Sequence, residues 1–216
     1  MRITHLGHAC LLAEIADTRI LIDPGTFADD FTDLRDLAAV LVTHAHPDHL
    51  DPERVRALVA GNPDAVVRCD PGSLPVLVGL GIDAAVHDGP TRVGAVTVTP
   101  HGELHAVIHD EMPRISNLGV RLEADGEPTL YHPGDALDAD FGTVDVLAFP
   151  LNAPWQASKE MTAFLRRHNP RYAVPIHDRL LNERGRDLYL GHAAGFGGAD
   201  TEIRDLAGAG AVEFTR

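Results

Sequence analysis

The chain has 216 residues, 44% of them hydrophobic and 23% charged, which suits a globular protein of one domain (residues 1–216) with a full core. A formal net charge of −14 argues against general nucleic-acid binding, and no apolar run is long enough to span a bilayer. The N-terminus shows neither a basic leader nor a small-residue cleavage site, so a cytoplasmic location is expected.

Residues 3–6, 10–15 and 19–22 read as three short strands, the last ended by Asp23-Pro24-Gly25. Cys10 lies in an apolar run and reads as a small core residue; neither it nor Cys69 has a C-x-x-C partner. Residues 33–38 suggest a short helix. Residues 40–43 are a buried strand, apolar enough to be covered on both faces. After a polar stretch, residues 52–60 form a helix, with Asp51 as its cap, Pro52 in its first turn and Gly61 at its end. Residues 66–69 continue as a strand and 73–80 as a helix.

Residues 93–99 read as one strand, followed by a polar loop from His101 to Ser116. Leu118, Val120 and Leu122 alternate with polar or small residues, which buries one face of a strand. Asp125-Gly126 turns the chain into a second strand at residues 129–132. Residues 144–149 and 172–176 are two more buried strands. Between them, Ser158 caps a helix whose apolar stripe is Met161, Phe164 and Leu165 and which Pro170 ends. Residues 202–207 suggest a helix and 212–214 a strand. The glycine-rich stretch 191–198 lacks the spacing and the preceding strand of a dinucleotide fingerprint.

The chemistry is concentrated in Thr43-His44-Ala45-His46-Pro47-Asp48-His49, directly after a buried strand. His44 and His46 are two apart, so on extended backbone they face one way and can reach one cation. Asp48 and His49 lie where the chain turns into the next helix and can reach a second. Imidazole and carboxylate donors suit zinc, or manganese or iron at similar geometry. Two cations need further ligands, and three other strand ends offer them: the loop carrying His101, His105 and His109, then Asp135 after Tyr131-His132-Pro133-Gly134, then His177 after Ala173-Val174-Pro175-Ile176. A carboxylate such as Asp135 can bridge two cations, and Gly134 allows close backbone approach there. No Gly-x-Ser-x-Gly elbow competes with this reading.

With these motifs, the chain resembles the metallo-β-lactamase superfamily, and within it the branch that includes L-ascorbate-6-phosphate lactonase. The similarity covers Thr4-His5-Leu6-Gly7-His8-Ala9-Cys10, Leu21-Ile22-Asp23-Pro24-Gly25, the histidine cluster, Tyr131-His132-Pro133-Gly134-Asp135 and Val174-Pro175-Ile176-His177. It implies a four-layer αββα sandwich with two mixed β-sheets inside. It also implies a ligand set: His44, His46 and His105 on a first cation, Asp48, His49 and His177 on a second, and Asp135 between them. His105, followed by Ala106, most resembles the family's third histidine. His101 and His109 are the alternatives, and a histidine that is not a ligand can orient one.

The implied activity is hydrolysis by water activated at a dinuclear centre, with Asp48 and Asp135 aiming it. Two divalent ions, two ligand carboxylates and a hydroxide leave a site of about +1, which welcomes an anionic small molecule. A small phosphoester or lactone fits. His8, His109, His132 and Trp155 are candidates for the pocket wall or for orienting a ligand, whereas His5, His87, His168 and His192 read as surface or packing residues. Arg114 and Arg179 flank the ligand loops, where contact with an anionic substrate is one role open to them, but a surface salt bridge is the role expected of a lone arginine in an acidic protein. A non-enzymatic metal-binding or regulatory role and a phosphodiesterase or nuclease role stand as alternatives; the acidic charge disfavours a nuclease.

Overall fold

A computed structural model describes residues 1–216. Two seven-stranded mixed sheets face each other, with helices on both outer surfaces. The first sheet contains β1 (Arg2–His5), β2 (Leu11–Ile15), β3 (Thr18–Ile22), β4 (Ala39–Val42), β5 (Val66–Cys69) and β6 (Ala84–Val86) in chain order. The second contains β7 (Thr91–Val93), β8 (Val96–His101), β9 (Gly119–Glu123), β10 (Leu130–His132), β11 (Val146–Pro150), β12 (Tyr172–Ile176) and β13 (Glu202–Ile203). The last strand, β14 (Ala211–Glu213), returns to pair with β1. Both sheets share one plan: antiparallel hairpins at one side, parallel strands at the other.

Side-chain alternation with period two separates the layers. On β3 and β4, Ile20, Ile22, Ala39 and Leu41 turn inward and meet Val98, Leu122, Val146, Ala148 and Val174 of the facing sheet. Leu21, Val40 and Val42 turn outward, under α1 (Pro52–Ala60) and α2 (Leu74–Gly79), through Val55, Leu58 and Leu77. Tyr131, Leu147, Phe149 and Ala173 pack on the other outer surface against α3 (Ser158–His168) and α4 (Glu183–Phe196). Strands sandwiched this way are apolar throughout, which is why β4, β11 and β12 are buried at every position.

Several local expectations are corrected. Residues 33–38 form turns, not a helix; Asn62 holds this stretch instead, accepting from the Leu37 N–H and donating to the Leu34 carbonyl. The strand expected at 93–99 is a hairpin, because Gly94 (φ 55°) reverses the chain and Val93 pairs with Val96. Pro100 sits within β8 beyond the reach of β7, where its missing N–H leaves no bond unmade. The helix expected at 202–207 is a two-residue strand followed by a turn, because the open edge of β12 captures Glu202 and Ile203. Ser158 is the first helical residue, not the cap; its hydroxyl meets His192 Nδ1 at 2.7 Å, while Glu160 accepts from the Ala157 N–H. The unforeseen α4 contains Gly185, Gly191 and Gly195 and buries only Ala193 fully, so neither propensity nor an apolar stripe marks it in the sequence.

Candidate metal centre

The parallel halves of the two sheets end at the same rim of the sandwich. The chain leaves β4 into Thr43–His49, β10 into Asp135 and β12 into His177, and the loop between β8 and β9 brings His105. The site therefore lies outside the carboxyl ends of parallel strands, where backbone groups are free of the ladder. Local backbone there is unusual: Asp23, His8 and His177 all adopt positive φ (51°, 55° and 57°). The N–H of His177 donates to the His8 carbonyl at 2.8 Å, tying the two sheets together at the rim.

Three overlapping groups result, each with donor atoms within 4.8 Å of one another: His44, His46 and His105; His8, Asp48, His49 and His177; and His44, His49 and Asp135. Asp135 sits between the first two. One of its oxygens lies 3.1 Å from His49 Nε2, the other 3.1 Å from His177 Nε2 and 3.3 Å from His105 Nε2.

Each inward-facing ring is oriented through its far nitrogen. His49 Nδ1–H donates to Asp23 Oδ2 (2.7 Å), His105 Nδ1–H to the Ala106 carbonyl (2.7 Å) and His177 Nδ1–H to the Asn152 carbonyl (2.7 Å). Thr43 donates its hydroxyl to Asp23 Oδ2, so its oxygen accepts from His44 Nδ1–H at 3.0 Å. These acceptors fix Nδ1 as the donor in all four rings and turn each Nε2 into the cluster, where it can ligate once it carries no proton. The Nε2 atoms of His44, His49 and His105 and Oδ1 of Asp135 are buried without a hydrogen-bond partner. A divalent cation fits this donor set, since buried lone pairs without donors are costly and a cation satisfies several at once.

His8 is set the opposite way. Its Nδ1 accepts from the Arg179 N–H (3.4 Å), so Nε2–H donates to Asp48 Oδ2 at 3.0 Å. Burial alone would raise the Asp48 pKa, but the bond from His8 and the nearby His49 outweigh it and bring it to about 2. Asp135 is likewise held well below the usual carboxylate range: burial opposes its charge, and His49 and His177 overcome that. Burial, reinforced by His49, pushes the His44 pKa well down, so this ring stays neutral. His49 goes the other way: burial opposes its charge, but the carboxylates of Asp135 and Asp23 on either side prevail.

Of the remaining expectations, Trp155 lies against the cluster, its indole N–H donating to Asp135 Oδ2 at 2.9 Å. His132 is buried and braces backbone: Nε2–H donates to the Ala9 carbonyl (2.8 Å), and Nδ1 accepts from the Gly134 N–H (3.1 Å). His101 faces the Asp140 carbonyl, and His109 is exposed and accepts from the Glu111 N–H, so His105 alone of the three joins His44 and His46. Arg114 and Arg179 reach Asp138 (3.8 Å) and Asp29 (2.6 Å) at the surface. Two residues with a clear positioning part escaped sequence reasoning. Asp23 anchors His49 and Thr43, and Asn117 fixes the loop of Asp135, accepting its N–H and donating to the Pro133 carbonyl. Asp23 carried a signal, a lone carboxylate directly after the apolar run Ile20-Leu21-Ile22; Asn117 carried none.

Residues 2–177 match the β-lactamase superfamily domain. Protein Rv0786c of Mycobacterium tuberculosis is 42% identical over 193 residues, covering 88% of this chain and 90% of its own. A UPF0173 metal-dependent hydrolase of Methylobacterium nodulans is 30% identical over 202 residues, covering 82% and 84%. Among solved structures, Igni18, a metallo hydrolase from Ignicoccus hospitalis, superposes with a TM-score of 0.71 at 17% identity over 99% of both chains, a likeness of fold. With its sandwich, its histidine–aspartate rim and these relatives, the chain belongs to the metallo-β-lactamase superfamily and, within it, to the UPF0173 metal-dependent hydrolase family.

Proposed function

We propose that the chain is a hydrolase acting on a small phosphoester- or lactone-type substrate through a dinuclear metal centre. His44, His46 and His105 would hold one divalent cation, Asp48, His49 and His177 the second, with Asp135 between them. The observation that carries this reading is the convergence of buried donor atoms, Nε2 of His44, His49 and His105 and Oδ1 of Asp135, that make no hydrogen bond and fall into overlapping groups within ligand distance. Zinc suits this mixture of imidazole and carboxylate, with manganese or iron as alternatives. Cations bound there supply Lewis acidity, which makes water nucleophilic near neutral pH and polarises a substrate oxygen.

The chain's own groups supply orientation. Asp23 and Thr43 lock the rings of His49 and His44, and two backbone carbonyls lock His105 and His177. The ionised Asp48 and Asp135 would accept a hydrogen bond from an attacking water and aim it. His8 and Trp155, each donating to one of these carboxylates, keep them from rotating away. Two unpaired cysteines, both buried, agree with a reducing cytoplasmic setting.

Metal analysis with an assay panel of bis-p-nitrophenyl phosphate, lactones and thioesters tests the proposal. His49→Ala and Asp135→Ala should lose metal and turnover while keeping their circular dichroism. Full activity in either variant would refute the ligand assignment; two metals per chain without turnover on any substrate would favour a binding protein.

A further inference from the structure

Beside the cluster lies an apolar cleft to which the hydrolase chemistry assigns no part. The segment 102–116 leaves β8, delivers His105 and returns into β9. On it Leu104, Val107, Ile108 and Met112 are 41%, 50%, 37% and 51% exposed. Large apolar side chains left this exposed on one loop are a mark of binding surfaces. Hollows flank the segment on both sides. The larger, about 500 Å³, separates Val107 from α3 and has apolar walls at Leu137, Trp155, Ala163 and Phe164. The smaller, about 90 Å³, runs from His46 and His105 to Ile108 and Met112. Ala106 and Arg114 line both.

The two hollows adjoin the candidate metal centre: His46 and His105 line the smaller. Trp155 donates to Asp135 at one edge, places its ring 6.0 Å from that of His105, and also walls the larger hollow. Four charged side chains also line the larger hollow: Glu160 accepts from the Ala157 N–H, Arg167 donates to the Leu137 carbonyl, and Asp138 lies 3.8 Å from Arg114. Arg114, fixed by its Nε on the His105 carbonyl at 2.6 Å, is the cation common to both hollows.

We propose that this cleft seats an alkyl chain of the substrate while a lactone, ester or phosphoester head lies at the metal centre, so that a carboxylate of the same chain binds as a product analogue. The substrate is then an amphiphile, not a fully hydrated sugar phosphate, and the segment 102–116 sets chain-length preference. A polar ligand would leave the apolar walls wet, whereas each buried methylene gains favourable transfer energy. The inference rests on the hydrolase reading for the identity of the head group alone.

Calorimetric titration of the zinc-loaded protein with acetate, hexanoate and decanoate, below micellar concentrations, reads the cleft directly. The Kd should fall about two- to fourfold per added methylene. The double variant Val107→Ser/Met112→Ser replaces two exposed side chains without touching the core and should flatten that slope. Equal Kd values for acetate and decanoate, or an unaltered slope in the double variant, would overturn the proposal. Turnover of γ-lactones of rising chain length, assayed separately, keeps the two readings distinct. Length-dependent binding without turnover of any lactone or phosphodiester upholds the cleft and refutes the hydrolase; turnover indifferent to chain length does the reverse.

Discussion

Four imidazoles converge on the rim, and each is aimed by the group behind it rather than by its own rotamer alone. Asp135 is held in the same way by the single tryptophan of the chain. Trp155→Phe keeps an aromatic ring in place and removes the N–H, so metal affinity should fall about 10- to 100-fold with little change in thermal stability. Competition against a chromophoric chelator would measure it; unchanged affinity would make Trp155 a wall and nothing more. Gly25 illustrates a steric demand: a Cβ there would overlap the backbone carbonyl of Asp48. Gly25→Ala should therefore displace the Asp48 loop, lower stability by about 1–3 kcal/mol and reduce metal content. Denaturant unfolding and elemental analysis check both effects, and a wild-type-like variant would show that the loop yields freely.

At the level of elements, α4 is attached differently from α1 and α3. It buries one residue fully and relies on a clasp in which Arg186 donates to both oxygens of Asp205 (2.6 Å each) and to Asp178 (3.2 Å). The bond from Arg186 lowers the Asp205 pKa, against a smaller opposing effect of burial. A carboxylate whose pKa is depressed on folding stabilises above its unfolded value, near 4, and loses that contribution as pH falls through the folded value. Asp205→Asn should thus lower Tm modestly at pH 7, and the gap to wild type should close as the pH is brought below about 4. A gap independent of pH would assign the effect to packing. The contrast between helices also explains what the sequence disclosed. Helix α1 announces itself through Asp51, Pro52 and Gly61 and α3 through its apolar stripe, whereas α4 has neither stripe nor cap strong enough to outweigh three glycines. The two-residue β13 is created by an edge, a tertiary cause with no local trace.

For the molecule as a whole, the burial of the central strands was legible because they are apolar on both faces, as β4, β11 and β12 declare, whereas the four-layer arrangement followed from the resemblance to the metallo-β-lactamase superfamily. The cluster at 44–49 was legible from spacing and Asp135 and His177 as strand ends, while His105 stood out from His101 and His109 only through the family resemblance; that all of them meet is a property of two sheets docking. Asp23 and Asn117 act at a distance in sequence, so spacing held no sign of their part. Removing metal should destabilise the entire fold, since anything bound only by the native state adds to its stability. With cation at about a thousandfold its Kd, the contribution is about 4 kcal/mol, so exhaustive chelation should lower Tm on the order of 10 °C. Differential scanning calorimetry before and after chelation would show it, and an unmoved transition would mean that the donors hold no tight cation.

The crossover between the sheets at Asp88–Pro90 has a further consequence. Everything before it supplies His44, His46, Asp48 and His49; everything after it supplies His105, Asp135 and His177. A polypeptide severed at that bend would yield two fragments, each with only part of the proposed ligand set. Capture of the ion by the mixture, and by neither fragment alone, would then count reassembled molecules one by one.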